Sequence, residues 1–335
     1  MTYSSGGLIQ ASDYNGFVGN TTAGLNRVWG TGAGDAGWGQ TSISTVTAGT
    51  NTVTATQWST LVANLATSGS QTSSTLTTRS QPTAGTVISV LANVSTDITT
   101  VTTNRGNAAS SGTQYGTFSG TVSQVNPTGS GGAGQNPWTI TFTQTVTFPS
   151  ADQARYFWNA GGLVRLQFGK TSTGAGDGDT VWNAFVPLAG SIYLSGRVNG
   201  AAQTISGTSY TGTTRIGGTG GTQTTLATTT GWYSLTGTPT TIFQLNNGTY
   251  PYTSEYIRVT ATATSTTVLT LVTTWFSNGG GLSTSDNISG GTATTSPSTT
   301  ITGTAPTTLC TYIPPSTAQG LANTWGTPAI ASSVA

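Results

Sequence analysis

The chain of 335 residues contains no histidine, one lysine (Lys170), one glutamate (Glu255) and one cysteine (Cys310). Without histidine there is no Ser-His-Asp or Cys-His arrangement to activate a nucleophile. A single cysteine excludes an intrachain disulfide and a cysteine metal cluster. Charged residues make up only 5% of the chain, against roughly 25% in ordinary domains. A net charge of +1 lacks the basic footprint of a protein that grips nucleic acid by its phosphates, and offers no patch for an anionic membrane. No apolar run approaches the ~20 residues of a membrane helix. The opening MTYSSGGLIQ lacks the basic and apolar regions of a secretory signal, so cytoplasmic synthesis is expected.

What is present is threonine, at about a fifth of the chain, with 47 glycines and 9% aromatic residues. Threonine, valine, isoleucine and aromatics suit strands, while glycine, asparagine and proline suit turns. The aromatic content and low charge argue against disorder. The expected class is α+β, mainly β, with an antiparallel strand-rich body and a small helical N-terminal module.

The stretch from Trp138 to Phe168 carries the clearest pattern. Trp138, Ile140, Phe142, Gln144, Val146 and Phe148 alternate with Thr139, Thr141, Thr143, Thr145 and Thr147. A strand with one apolar face and one hydroxyl face follows, with Gln144 as the exception. Pro149 ends it. Ser150 and Gln153 predict a capping box, and Ala154, Phe157 and Trp158 an apolar helical stripe. Gly161 and Gly162 predict a left-handed stop, after which Leu163 to Phe168 returns as a strand.

Four regions are expected along the chain. Residues 1–75 form a helical docking module with an internal repeat, in which IQASDYNGFV from Ile9 aligns with VTATQWSTLV from Val53. Each copy reads as a capped helix bearing an aromatic and an apolar pair: Tyr14 with Phe17 and Val18, Trp58 with Leu61 and Val62. Helices this short need a partner surface, so Tyr14, Phe17, Trp58 and Leu61 are the expected docking residues. Residues 76–115 combine a linker, extending from Thr67 to Gly85, with a heptad seam at Val87, Leu91, Val94, Ile98 and Val101. Residues 116–278 form the β-rich body. Its strands are expected at Gly116–Val125, from Ser191, from Gly231 to Asn247, and as a hairpin of Tyr256–Thr264 with Thr267–Ser277. A short helix from Val181 is expected to be interrupted at Pro187. Residues 279–335 read as a Gly/Ser/Thr/Pro-rich extension, in which LANTWGTP faintly echoes LNRVWGTG at Leu25.

Candidate sites are few. Asp177 and Asp179 in GAGDGDT could offer oxygen to calcium, but two acids fall short of its six or more ligands, and a solvated turn is the expectation. GTGAGDAG at Gly30 has no following Lys-Ser/Thr and reads as a plain loop. Asp152, Asp177, Asp179 and Glu255 are the acids from which a glycosidase pair would be drawn, though no pattern brings two together. Asp152 is also explained by the first turn of the Ser150 helix. Tyr156, Phe157, Trp158, Trp182, Trp232 and Tyr233 could stack on sugars, or pack in a core or subunit contact. Neither a catalytic residue nor a cofactor or metal is expected.

The N-terminal pattern GLIQASDYNGFVG, VWGTGAGDAGWGQ and VTATQWSTLV resembles the start of virion structural proteins of tailed marine phages, particularly cyanophages. So do ADQARYFWNAGGLVRLQF, DTVWNAFV, GWYSLTGTPTTIFQ and YTSEYIRVTA. The resemblance spans roughly residues 8 to 275 and implies a component of the particle, such as a tail fibre, neck appendage or decoration. It implies no catalytic residues. The resulting expectation is a homo-oligomer, a trimer by the heptad seam, on the particle exterior, with other virion proteins as partners and Tyr156, Phe157, Trp158 and Trp182 as packing residues. Its rivals are an adhesin for host surface glycan and a polysaccharide-cleaving enzyme.

Overall fold

The strand centred on Phe142 determines how the rest of the chain is layered. In this computed structural model the described residues are 11–47, 52–84, 93–108, 122–124, 138–170, 177–197, 202–205, 207–219, 223–249, 252–277, 287–288, 291–292 and 306–335. Helices are α1 (Ala11–Val18), α2 (Ala55–Gln71), α3 (Val94–Asn104), α4 (Ala151–Asn159) and α5 (Asp177–Ala189). Strands are β1 (Val122–Gln124), β2 (Trp138–Thr147), β3 (Leu163–Gly169), β4 (Ser191–Leu194), β5 (Gln203–Ile205), β6 (Thr208–Tyr210), β7 (Thr213–Ile216) and β8 (Thr224–Leu226). They continue as β9 (Thr240–Asn246), β10 (Tyr256–Ser265), β11 (Val268–Ser277), β12 (Asn287–Ile288), β13 (Gly291–Thr292), β14 (Thr307–Ile313) and β15 (Ala329–Val334). The fold is α+β and strand-rich, with antiparallel sheets and a small helical segment at the N-terminus, α4 and α5 lying within the body.

Two sheets carry the body. One has the order β1-β14-β3-β4-β7, the other β15-β2-β11-β10-β9-β8. Their inner faces meet through aromatics, because alternate side chains of each strand must leave water together. Phe168 of β3 stacks on Phe243 of β9 at 6.2 Å and meets Trp275 of β11 edge-on at 6.3 Å. The alternation read in β2 holds from Ile140 onward: Ile140, Phe142 and Val146 are buried, and the threonines between are half-buried or exposed. Gln144 stays on the inner face because Nε2 donates to the Thr308 carbonyl across the layers at 3.1 Å. A buried amide needs such a partner. The β10–β11 hairpin pairs along its length, with a register shift between Ala263 and Ser265 at the turn.

The left-handed stop of α4 is present. Gly161 has φ 106°, and Gly162 N–H reaches the Phe157 carbonyl at 2.8 Å, which suits a residue without a Cβ. Only half of the predicted capping box forms: Ser150 Oγ accepts from Gln153 N–H at 3.2 Å. The Gln153 amide lies against Gly326 instead, where an added Cβ would come within 2.8 Å of Nε2.

Several expectations are corrected. The chain from Gly231 does not enter a strand at once, because Trp232–Ser234 forms a 3-10 turn before β9. A Cβ at Gly231 would stand 1.9 Å from the Arg197 carbonyl, so this close crossing sets the turn. Helix α5 starts at Asp177 and continues past Pro187. Proline removes one backbone donor there, but only Leu188 and Ala189 follow it in the helix, so the loss falls at the helix end. The segment read as a linker from Thr67 is helical to Gln71, and Thr77 and Arg79 beyond it are held by Asp97, the Arg79 ion pair at 2.5 Å. The C-terminal region is no appended extension. Strand β14 lies between β1 and β3, and β15 pairs with β2. Their backbone amides complete the two ladders, which outweighs a turn-rich composition.

Candidate functional site

A groove of about 550 Å³ opens beside α4. Three segments make its walls. The first turns of α4, capped by Ser150, supply Ala151, Asp152 and Arg155. The 3-10 turn and the loop after it supply Trp232, Tyr233, Leu235, Thr236 and Gly237, and the β10–β11 turn supplies Ala263, Ser265 and Thr266.

Arg155 is the hinge of this arrangement. Its Nη1 donates to the carbonyls of Thr31 at 2.7 Å and Ala36 at 2.9 Å, and Nη2 donates to Asp152 Oδ1 at 3.0 Å. The glycine-rich loop is thereby clamped onto α4. Arg155 is largely covered, with its side chain 19% exposed, whereas Asp152 is 69% exposed. The pair is neutral as a unit. Tyr233 holds its hydroxyl between the Gly34 carbonyl (3.0 Å) and Asn159 Oδ1 (2.9 Å), with one proton to give to either. Burial, only partly offset by the Arg155 charge, pushes its pKa far above the ordinary tyrosine value, so it stays protonated. Trp232 stacks on Trp158 at 5.4 Å and an interplanar angle of 17°, which fixes the indole at the groove floor.

The four expected docking residues lie inside the chain. Trp58 meets Tyr14 edge-on at 5.2 Å and Phe17 at 6.0 Å, and Tyr14, Phe17, Trp58 and Leu61 are all buried. The two copies of the repeat are each other's partner surface, with α3 packed against both helices. The expectation of exposed docking faces is therefore corrected: apolar surface that a short helix needs to cover is covered here intramolecularly. The heptad seam shares this outcome. Val94, Ile98 and Val101 form the buried face of α3, and Val87 and Leu91 lie outside the described residues.

The expected packing residues are in the interior. Phe148, Phe157, Trp158 and Trp232 form one aromatic cluster with centroids 5.1 to 6.0 Å apart, beside which Tyr156 is 8% exposed. Trp182 of α5 stacks on Trp275 at 5.6 Å. Of the possible sugar-stacking residues, Tyr233 and Trp232 line the groove, Trp232 with only 8% of its surface exposed, and the other four belong to the packed interior.

Of the four acids, the two whose side chains are described do not share a cleft. Asp152 lines the groove, whereas Glu255 is fully buried, accepting from Ser277 Oγ and from Asn247 Nδ2 at 3.4 Å. Burial pushes the Glu255 pKa up to about 7, with hydrogen bonds from Ser277, Asn247 and Trp182 pulling the other way. The side chains of Asp177 and Asp179 lie outside the described residues. Among the described residues no group of three or more His, Cys, Asp or Glu side chains could hold a metal. Burial also pushes the Cys310 thiol up to about 12, which leaves it without thiolate at neutral pH.

Sequence reading identified Asp152, Trp232 and Tyr233 but missed Arg155, Leu235, Ala263, Ser265 and Thr266. The spacing of Asp152 and Arg155 at i, i+3 was an available signal. Nothing local links either to a hairpin turn more than a hundred residues on. Comparisons with protein-family models, with curated proteins and with solved structures find no match.

Proposed function

We propose that this chain is a structural component of a tailed-phage particle, forming a homo-oligomeric exterior fibre, appendage or decoration. One observation carries the reading: the chain is charge-poor and hydroxyl-rich, while among the described residues most aromatics are buried in packing. Few charges mean few desolvation costs when identical surfaces meet. The resemblance of its N-terminal and central motifs to virion proteins of marine phages points the same way. With the visible part of the heptad seam turned inward, self-association would run through the β-rich surface rather than through a coiled coil.

Antibody labelling of intact particles tests the location, and light scattering of the full-length chain tests self-association. Label at regular positions on the particle exterior is expected, with a solution mass that is a multiple of 33.8 kDa. A monodisperse monomer at micromolar concentration overturns the oligomer, and particles without label overturn the location. The groove beside α4 favours a second reading, an adhesin that meets host surface glycan through this component.

A further inference from the structure

The groove beside α4 combines an apolar floor, a single anchored carboxylate and a hydroxyl-bearing rim. Trp232, Leu235 and Ala263 supply the apolar floor, and Thr236, Ser265 and Thr266 stand on the rim. Arg155 holds Asp152 by Oδ1, leaving Oδ2 as an acceptor on a carboxylate that faces water. Because the guanidinium is already committed to two carbonyls and this carboxylate, it has little to offer an anionic ligand. The volume of about 550 Å³ falls in the range of roughly 300–1,000 Å³ typical of small-molecule sites. A ligand suited to this lining is uncharged, rich in hydroxyl donors, and apolar on one face. Pyranose sugars have that pattern, since their axial C–H groups can lie on an aromatic or aliphatic floor while neighbouring hydroxyls donate to a carboxylate.

We propose that the groove binds a neutral hexopyranose unit of a glycan, its C–H face toward Leu235 and Ala263 and its hydroxyls donating to Asp152. Arg155 is a positioning residue, held by the glycine-rich loop so that the carboxylate is set before the ligand arrives. The origin of the ligand on a host surface rests on the adhesin reading; the binding itself does not.

Saturation-transfer NMR of the full-length chain tests the site, using methyl glycosides of galactose, glucose, mannose and N-acetylglucosamine, with N-acetylneuraminic acid as the anionic comparison. Transfer to at least one neutral glycoside is expected, and none to the anionic sugar. Gly237 lines the groove and a Cβ there meets no heavy atom within 4 Å, so Gly237→Trp adds an indole at the groove without a backbone clash. It should abolish transfer with the melting temperature unchanged. Asp152→Asn should lower affinity about tenfold, the expected cost of losing hydrogen bonds to a charged acceptor. Absence of transfer to every neutral glycoside overturns the proposal, as does binding that survives Gly237→Trp or an equal response to N-acetylneuraminic acid. Binding by a chain that does not label particles keeps the site and removes the virion reading. Label on particles without binding removes the site alone.

Discussion

Glu255 shows how much a single buried side chain can make of its surroundings. Removal from water pushes its pKa from 4.5 up to about 7, against the hydrogen bonds from Ser277 and Asn247 that favour its charged form. The folded chain thus keeps a proton that the unfolded chain releases above about pH 4.5. Stability from this group is fully present below that pH, declines by about 1.4 kcal/mol per pH unit as pH rises toward 7, and is level above. Glu255→Gln should remove that slope, so the difference between the two urea-unfolding curves should grow from pH 5 to 7 in the variant's favour. A constant difference would mean that Glu255 does not take up a proton on folding. Trp158, 3% exposed and stacked on Trp232, gives a contrasting case. Trp158→Ala should cost about 3–5 kcal/mol in a thermal melt, and Asp152→Asn no more than about 0.5 kcal/mol. Equal effects would contradict the division between packed interior and open groove.

At the scale of elements, the N-terminal helices and the body are held together by α4. Asn159, just before the Gly161 stop, donates through Nδ2 to the carbonyls of Gly34, Ala36 and Gly37, and its own carbonyl accepts from Trp38 Nε1 at 3.1 Å. Gln71 at the end of α2 reaches the Ala160 carbonyl at 3.2 Å. Asn159→Ala should cost about 1–3 kcal/mol, since it removes the amide from this junction and leaves the buried Gly37 carbonyl without its donor, measured as a shift in urea midpoint with unchanged slope. These bonds, and one core that spans both regions, tie residues 1–75 to the body. A chain beginning at residue 76 should melt well below the full-length protein; an unchanged melting temperature would show that the two parts are independent. The helices themselves were legible in the chain, since the Thr54 and Gln57 capping box and the stripe from Trp58 to Leu65 are local patterns. Their partners were not, because an apolar face reads the same whether another molecule covers it or the next repeat does.

For the whole molecule, the last thirty residues close both sheets. Strand β14 fills the place between β1 and β3, while β15 adds to β2 through pairs running from Thr147 with Ala329 to Phe142 with Val334. A chain ending at residue 305 would leave β3 and β2 with unpaired edges and the Phe157 ring without Tyr312. Such edges invite association between chains. The truncated chain should elute as aggregate in gel filtration and lose its near-ultraviolet circular dichroism. A monomeric, cooperatively melting fragment would show that the C-terminal strands are dispensable.

The sequence by itself determined the class of the protein and its strongest local units. Alternation along Ile140 to Phe148, the Ser150 start and Gly161 stop of α4, and the Tyr256 to Ser277 hairpin depend on neighbours a few residues apart, and all formed. Tertiary structure decided the rest. It turned the Tyr14 and Trp58 faces inward, drew a glycine-rich loop onto Asn159, and brought Asp152, Trp232 and Thr266 around one groove. The physical reason is that side-chain periodicity reports which face of an element must leave water. Which distant surface covers that face is set by packing and by the hydrogen-bond needs of buried backbone groups, and these are satisfied only when the whole chain has closed.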